Sequence, residues 1–410
     1  MNRNDRSIVG LVMAAHAMVH TYELSIPVLV PIWLEQFQVS PFVLSLVVSV
    51  GYGLFGLGSL PAGVLADTYD ARTLIVGCLV GMGGSFLALT VAPSLWLIGV
   101  ALLFWGVAAS VYHPSGLSLI SRGVEKRGTA FAYHGMAGNL GIALGPFVTL
   151  LLLLAFDWRI AVGLLALPAG AAALYATTVD IDERAAARAA DGGADDRATG
   201  GITSLSGFLS TSRTLLASTF AVVFVLVMFS GLYYRGTLTF LPEILRDVPV
   251  LEPVTIGGRE YTPGDYVYVG LLMVGVFGQF VGGKLTDRMP VEYGLLAGFA
   301  SLTVVALLFV PATAVGLAAI LVVAAALGFS LFFVQPFYQA TVAEYSPAEA
   351  RGLSYGFTYL GTFGVGALGA VVAGAALTFL DPAGLFVVLA GLAAVAAALA
   401  GVLVRRERPA

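Results

Sequence analysis

Charge is what this sequence has least of. Lys and Arg number 20 and Asp and Glu 24 in 410 residues, so only 11% of positions are charged. Counted with Gly and without Tyr, about two-thirds of the chain is apolar, against roughly 45–50% for soluble domains. Such a chain cannot dress itself in a water-compatible surface, which excludes a soluble enzyme and a disordered scaffold. The net charge is −4 and the basic residues are scattered, so no basic face offers itself to nucleic acid. A single cysteine, Cys78, excludes an internal disulfide framework and a Cys-rich zinc site. No phosphate-loop lysine motif occurs, which argues against ATP drive, and nothing in the sequence calls for a cofactor. The first apolar stretch is too long for a cleaved leader and lacks a small-residue cleavage site, so it is expected to remain as the first helix.

What the chain does have is long uncharged runs. Spans are predicted near 8–34, 41–66, 73–92, 95–120, 128–155 and 158–178, then 214–245, 265–286, 291–311, 313–344, 351–378 and 383–404. Each meets the roughly 20 residues that a bilayer requires. The predicted fold is an all-α polytopic membrane protein with twelve transmembrane helices. Residues 179–213 are rich in Asp, Arg, Gly and Ala and cannot bury enough apolar surface to fold alone. They are expected to be a solvated linker, with a regulatory segment as the other reading. The predicted domains are therefore 1–178, the linker 179–213, and 214–410.

Orientation follows from the basic residues. With the N-terminus inside, sixteen fall on the cytoplasmic side, and only Arg159, Arg246 and Arg259 on the other. This bias predicts cytoplasmic termini and a plasma-membrane protein. The one basic residue left over, Arg235, lies within a span. The segment 246–264 is longer than the other external loops and suits a small hairpin around Gly257-Gly258, either a lid or a passive feature.

The halves repeat in parallel register. Gly63-Val-Leu-Ala-Asp67 returns as Gly283-Lys-Leu-Thr-Asp287, His113-Pro114 as Gln335-Pro336, and Arg127-Gly128 as Arg351-Gly352. Two pseudo-symmetric six-helix bundles place a substrate path at their interface near the midplane. The Gly-x-x-x-Asp element after spans two and eight, together with this architecture, resembles the major facilitator superfamily along essentially the whole chain. That resemblance implies cytoplasmic gating loops built on Gly63, Asp67 and Arg72 and on Gly283, Asp287 and Arg288; the alternative is ordinary charged turns. The first copy departs from the family pattern at Thr68 and Asp70.

A narrower resemblance rests on Gly106-Val-Ala-Ala-Ser-Val-Tyr-His-Pro114, Arg127-Gly-Thr-Ala-Phe-Ala-Tyr-His-Gly-Met-Ala-Gly-Asn139-Leu-Gly141 and Gly145-Pro146. These runs are similar to the fosmidomycin-resistance group of drug-efflux transporters. The first span agrees only in part: that group has His followed four residues later by Asp, whereas this chain has His16 and His20, with Glu23 nearby.

Ionisable groups in hydrocarbon are costly, so each needs a role or a partner. All four histidines fall in spans of the first half: His16, His20, His113 and His134. His16 and His20 share a helix face, and His113 could simply steady the bend at Pro114. Glu23 and Arg235 sit at similar depth when spans one and seven are aligned on Pro31 and Pro242. They could form a switchable ion pair or a permanent one. Asn139 and Gln335 add neutral polar groups, and Arg235 offers a fork for an anion. The glycines of spans five and eleven are read as moving contacts between halves.

These readings converge on a secondary transporter rather than an enzyme. It would work by alternating access and couple protons to efflux of a small polar or anionic compound, as an antiporter. Uptake of an organic anion is the alternative, and a metal-ion exporter using the histidines is a further one. The expected partners are a small-molecule substrate, protons and membrane lipid. No nucleic acid or resident metal is expected, and the protein is expected to be a monomer.

Overall fold

The computed structural model describes residues 1–185, 205–347 and 350–405; of residues 67, 205, 351 and 352 only the backbone is described. Most of the expected linker, 186–204, therefore lies outside the described residues, as does the side chain of Asp67. Helices dominate because hydrocarbon offers no partner for a peptide group, so every N–H must be paired within its own segment. Among the described residues, twelve helical stretches are long and apolar enough to cross a membrane.

The first half contains α1 (Arg3–Phe37), α2 (Pro41–Leu57), α3 (Ser59–Thr68), α4 (Ala71–Thr90), α5 (Leu95–Ser110), α6 (Tyr112–Gly123), α7 (Arg127–Leu153) and α8 (Trp158–Thr178). The second half contains α9 (Leu205–Leu216), α10 (Phe220–Arg246), α11 (Pro263–Thr286), α12 (Val291–Val315), α13 (Leu317–Glu344), α14 (Arg351–Tyr359), α15 (Leu368–Phe379) and α16 (Pro382–Arg405). Span two is α2 with α3, and span four is α5 with α6. Span seven starts at Phe220, later than the sequence suggests, because Leu205–Leu216 forms a separate helix ahead of it.

The chain divides into two compact units, 1–26 with 50–201, and 27–49 with 202–410. This differs from a division at the linker alone, since the end of α1 and the start of α2 group with the second half. Within that second unit the backbone N–H of Phe42 donates to Thr378 Oγ1 at 2.9 Å.

The internal repeat is visible in helix crossings. In the first unit Gly106 on α5 abuts the carbonyl of Gly51 on α2; in the second, Gly328 on α13 abuts the carbonyl of Leu271 on α11. These positions preserve the offset seen in the sequence motifs. A side chain at either glycine would collide with the facing backbone, so the crossing depends on its absence.

Glycines of spans five and eleven also meet helices of their own unit. Gly141 abuts the Ala17 carbonyl, and Gly145 faces the Thr21 backbone on α1. In the second unit Gly231 on α10 abuts Thr362, within a π-helical turn over Leu360–Val365 that links α14 to α15. The segment after α10 forms the expected hairpin: Val254–Ile256 (β1) pairs antiparallel with Arg259–Tyr261 (β2). Gly257 (φ 62°) and Gly258 (φ 79°) supply the positive φ angles that its two-residue turn demands.

Candidate functional site: a buried histidine–glutamate cluster

On α1, His16, His20 and Glu23 fall at i, i+4 and i+7, one stripe of a single helix face. The structure gathers the other two histidines around that stripe. His113 is the second residue of α6, just after the helix is interrupted at Val111. Pro114 is tolerated there because a first-turn N–H has no intrahelical partner to lose. His134 comes from α7, where Gly138 leaves room for the His16 ring; a Cβ at that glycine would lie 2.5 Å from the ring. His16, His113 and His134 are 7%, 5% and 6% exposed, and Glu23 is fully buried.

Ring geometry shows how tight the cluster is. The imidazoles of His16 and His134 stack with centroids 3.8 Å apart, and His113 meets His16 edge-on at 5.2 Å. Tyr112 lies nearly parallel to both stacked rings, and its hydroxyl donates to the Val12 carbonyl at 2.5 Å. The hydroxyl of Tyr52 donates to the Glu23 carbonyl at 3.2 Å. These anchors fix α1 against α2 and α6.

Three polar contacts run in series through the cluster. His16 Nδ1 lies 2.7 Å from the carbonyl oxygen of His134, His16 Nε2 lies 3.1 Å from His20 Nε2, and His20 Nδ1 lies 2.7 Å from Glu23 Oε2. A carbonyl can only accept, so His16 Nδ1 carries a hydrogen; in a neutral ring that leaves Nε2 as an acceptor. His20 must then donate from its own Nε2. Its Nδ1 contact with Glu23 still needs a hydrogen, supplied either by an imidazolium or by a carboxylic acid. All three contacts can be hydrogen bonds at once only if the chain carries one proton more than neutral histidines and a carboxylate would hold.

Sequence reasoning placed both His20 and Glu23 among the candidates but weighed Glu23 against Arg235 and did not single out the His20–Glu23 contact, for which their spacing of three on a helix was the available signal. Arg235 belongs to the second unit, where it is 2% exposed, its guanidinium lying 5.4 Å from the Tyr234 ring. Gln335 is a half-buried residue of α13 in that same unit. Asn139 is half-buried on α7; five residues beyond His134, it points about 140° away around the helix and so leaves the cluster.

At the charged end of the first unit, the expected loop is tied down by groups that the sequence did not single out. Glu183 accepts from the backbone N–H groups of Ala71 (2.9 Å) and Arg72 (2.8 Å), capping α4. Arg72 reciprocates through Nε to the Ala176 carbonyl at 2.6 Å and through Nη2 to the Thr177 carbonyl, closing the end of α8. Glu183 is therefore part of the first bundle, not of a free linker. Asp5 likewise accepts from Glu125 and Lys126 ahead of α7. Asp70, at the position where the family pattern has glycine, is the N-cap of α4 and accepts from Thr73 at 2.8 Å. Those hydrogen bonds from Thr73 hold its carboxyl below the ordinary value. Gly63 is half-buried on α3. In the second copy Gly283 is half-buried, while Asp287 and Arg288 are exposed at the end of α11.

Twelve apolar helices with a compact polar cluster set among them define a multi-pass membrane transporter. The chain matches the Major Facilitator Superfamily over residues 11–370 and again over 264–410, and it belongs to that family. Among curated proteins it is 27% identical, over 76% of its length and 71% of the relative's, to an MFS-type transporter, YfnC of Bacillus subtilis. It is also 27% identical to the multidrug resistance protein MdtH of Klebsiella pneumoniae, over 28% of this chain and 27% of that one. Similar solved folds include a bacterial homologue of the human lysosomal transporter Spinster (TM-score 0.75, 16% identity, both chains covered fully). The nucleoside transporter NupG is another, with a TM-score of 0.76 at 14% identity over 97% of this chain and 99% of that one.

Proposed function

We propose that the protein is a proton-coupled exporter of small polar or anionic compounds, working by alternating access in the plasma membrane with both termini cytoplasmic. The single observation carrying this reading is the chain from Glu23 through His20 to His16, whose hydrogen bonds close only with one added proton. Losing that proton leaves either the two Nε2 atoms facing each other without a hydrogen or a bare nitrogen facing the Glu23 carboxylate, and either outcome breaks the geometry, which is what a coupling site must do. The protein is a carrier rather than an enzyme. Arg235 serves as the anion-binding group, because a guanidinium offers forked donors to a phosphonate or carboxylate.

Export is supported by the MdtH relative, described as a multidrug resistance protein, and by the runs around His113-Pro114 and Asn139 that resemble the fosmidomycin-resistance group. The sixteen-to-three bias of basic residues supports the orientation. The clasp around Arg72 and Glu183, with Gly63 and Asp67 before it, and the second copy at Gly283, Asp287 and Arg288 form the cytoplasmic gate. The deciding assay is proton movement in proteoliposomes during efflux of candidate phosphonates and small organic anions. Product formation without net movement of solute across the bilayer would overturn the carrier reading.

A further inference from the structure

The histidine cluster has the features of a metal centre as well as those of a proton site. One nitrogen from each of His16, His20 and His113 lies within 4.8 Å of the others. The facing Nε2 atoms of His16 and His20 are only 3.1 Å apart. Two zinc–nitrogen bonds of about 2.0–2.1 Å at a tetrahedral angle span roughly 3.4 Å, so this pair already has close to the required bite.

The outer nitrogens complete the pattern. His16 Nδ1 is held by the His134 carbonyl and His20 Nδ1 by the Glu23 carboxylate, each at 2.7 Å. Ligating histidines characteristically give their second N–H to a backbone carbonyl or a carboxylate, which fixes the tautomer and turns the other nitrogen's lone pair toward the ion. Both arrangements occur here side by side. A third observation is independent of those bonds. Nε2 of His134 is buried without a hydrogen-bond partner among the described residues, on a ring stacked 3.8 Å from that of His16. A buried polar atom left in that condition is costly and calls for a ligand or a water at the site.

We propose that His16, His20 and His113 bind one divalent transition-metal ion, with Glu23 and the His134 carbonyl as outer-sphere supports. Three neutral imidazoles favour zinc, cobalt, nickel or copper over magnesium and calcium, which prefer oxygen. The ion takes the place of the proton between the two Nε2 atoms, so the two loads exclude each other. The proposal stands on the cluster's geometry and not on the transport reading, and it is tested without any transport substrate.

The experiment is binding of zinc to the intact, detergent-purified protein after removal of any polyhistidine tag, measured by competition with a chromophoric chelator. Cobalt substitution is followed in parallel by its visible absorption. The expected result is one ion per chain and the intense bands of a four-coordinate cobalt site. Glu23→Gln should weaken zinc binding by about 10–100-fold, the usual effect of losing an outer-sphere partner, and His16→Gln or His113→Gln by at least as much. Size-exclusion profiles report whether each variant folds. X-ray absorption of the zinc-loaded wild type, expected to show three nitrogen neighbours and one oxygen from a water completing the four-coordinate site, gives a test that needs no variant. Absence of stoichiometric binding, binding unchanged in all three variants, or an oxygen-dominated coordination shell each overturns the proposal. A protein that binds zinc yet moves no protons would leave this site standing and remove the coupling reading instead.

Discussion

His20 Nδ1 and Glu23 Oε2 lie 2.7 Å apart on one face of α1, the carboxylate fully buried and the imidazole side chain 12% exposed. A buried carboxylate is tolerated in an apolar bundle only with a partner and a proton or positive charge close by. The pair meets that condition without leaving its own helix. His20 is the less buried of the two.

Replacing His20 with Gln keeps a polar side chain but removes the second ring nitrogen. Gradient-driven transport should fall about tenfold or more, as expected for losing a buried hydrogen bond to a charged group worth ~1.5–3 kcal/mol. Substrate exchange at equal pH on both sides should persist. Comparing driven transport with counterflow in the same vesicles checks this, and equal loss of both would argue for a merely structural role.

Arg235→Lys keeps the charge and removes the fork. Apparent affinity for an anionic substrate should weaken about tenfold while affinity for a neutral one stays level. Competition binding with the two substrate types measures it, and a uniform loss would remove Arg235 from substrate recognition.

Packing of α7 on α1 depends on Gly141, which abuts the Ala17 carbonyl. Gly141→Val should cost about 1–3 kcal/mol, the usual penalty of overpacking, and lower the thermal midpoint in detergent. Gly135 has open space around its Cβ position, so Gly135→Ala should leave the midpoint nearly unchanged.

Glu183 caps α4 with both carboxylate oxygens, so Glu183→Ala should cost about 0.5–2 kcal/mol, seen as a lower midpoint. A soluble-linker residue would show no effect.

Asp70 gives a pH signature of known sign. Its carboxyl is held below the ordinary value of 3.8 by the bonds from Thr73. The folded state therefore binds this proton less readily than the unfolded state. Its stabilisation is complete above that ordinary value and is lost as pH falls through the lower folded value. The side chain is largely exposed, so the effect is small. Asp70→Asn should flatten the acid limb of a stability–pH curve and leave neutral pH nearly untouched.

Much of this was legible in the sequence, because the physics that writes it is one-dimensional. A span is a run of apolar residues, and the few charges mark the ends of runs. The offset between Gly63–Asp67 and Gly283–Asp287 announced a repeat that the Gly51–Gly106 and Leu271–Gly328 crossings then displayed. The four histidines could be flagged because hydrocarbon tolerates few such groups.

What stayed hidden depends on contacts between distant segments. Composition placed Glu183 in a solvated linker, yet it caps a helix more than a hundred residues earlier. His134 acts on His16 through its backbone carbonyl, which no side-chain pattern encodes. The glycines of α7 signalled close approach correctly but could not say to which helix.

The most direct test of the account is proton movement coupled to substrate in proteoliposomes, wild type against Glu23→Gln, with a pH-sensitive dye inside. The account predicts that an exported anion drives proton movement in the wild type. It predicts that Glu23→Gln still exchanges that anion across the membrane but moves no protons with it. Proton movement of equal size in both proteins would contradict it.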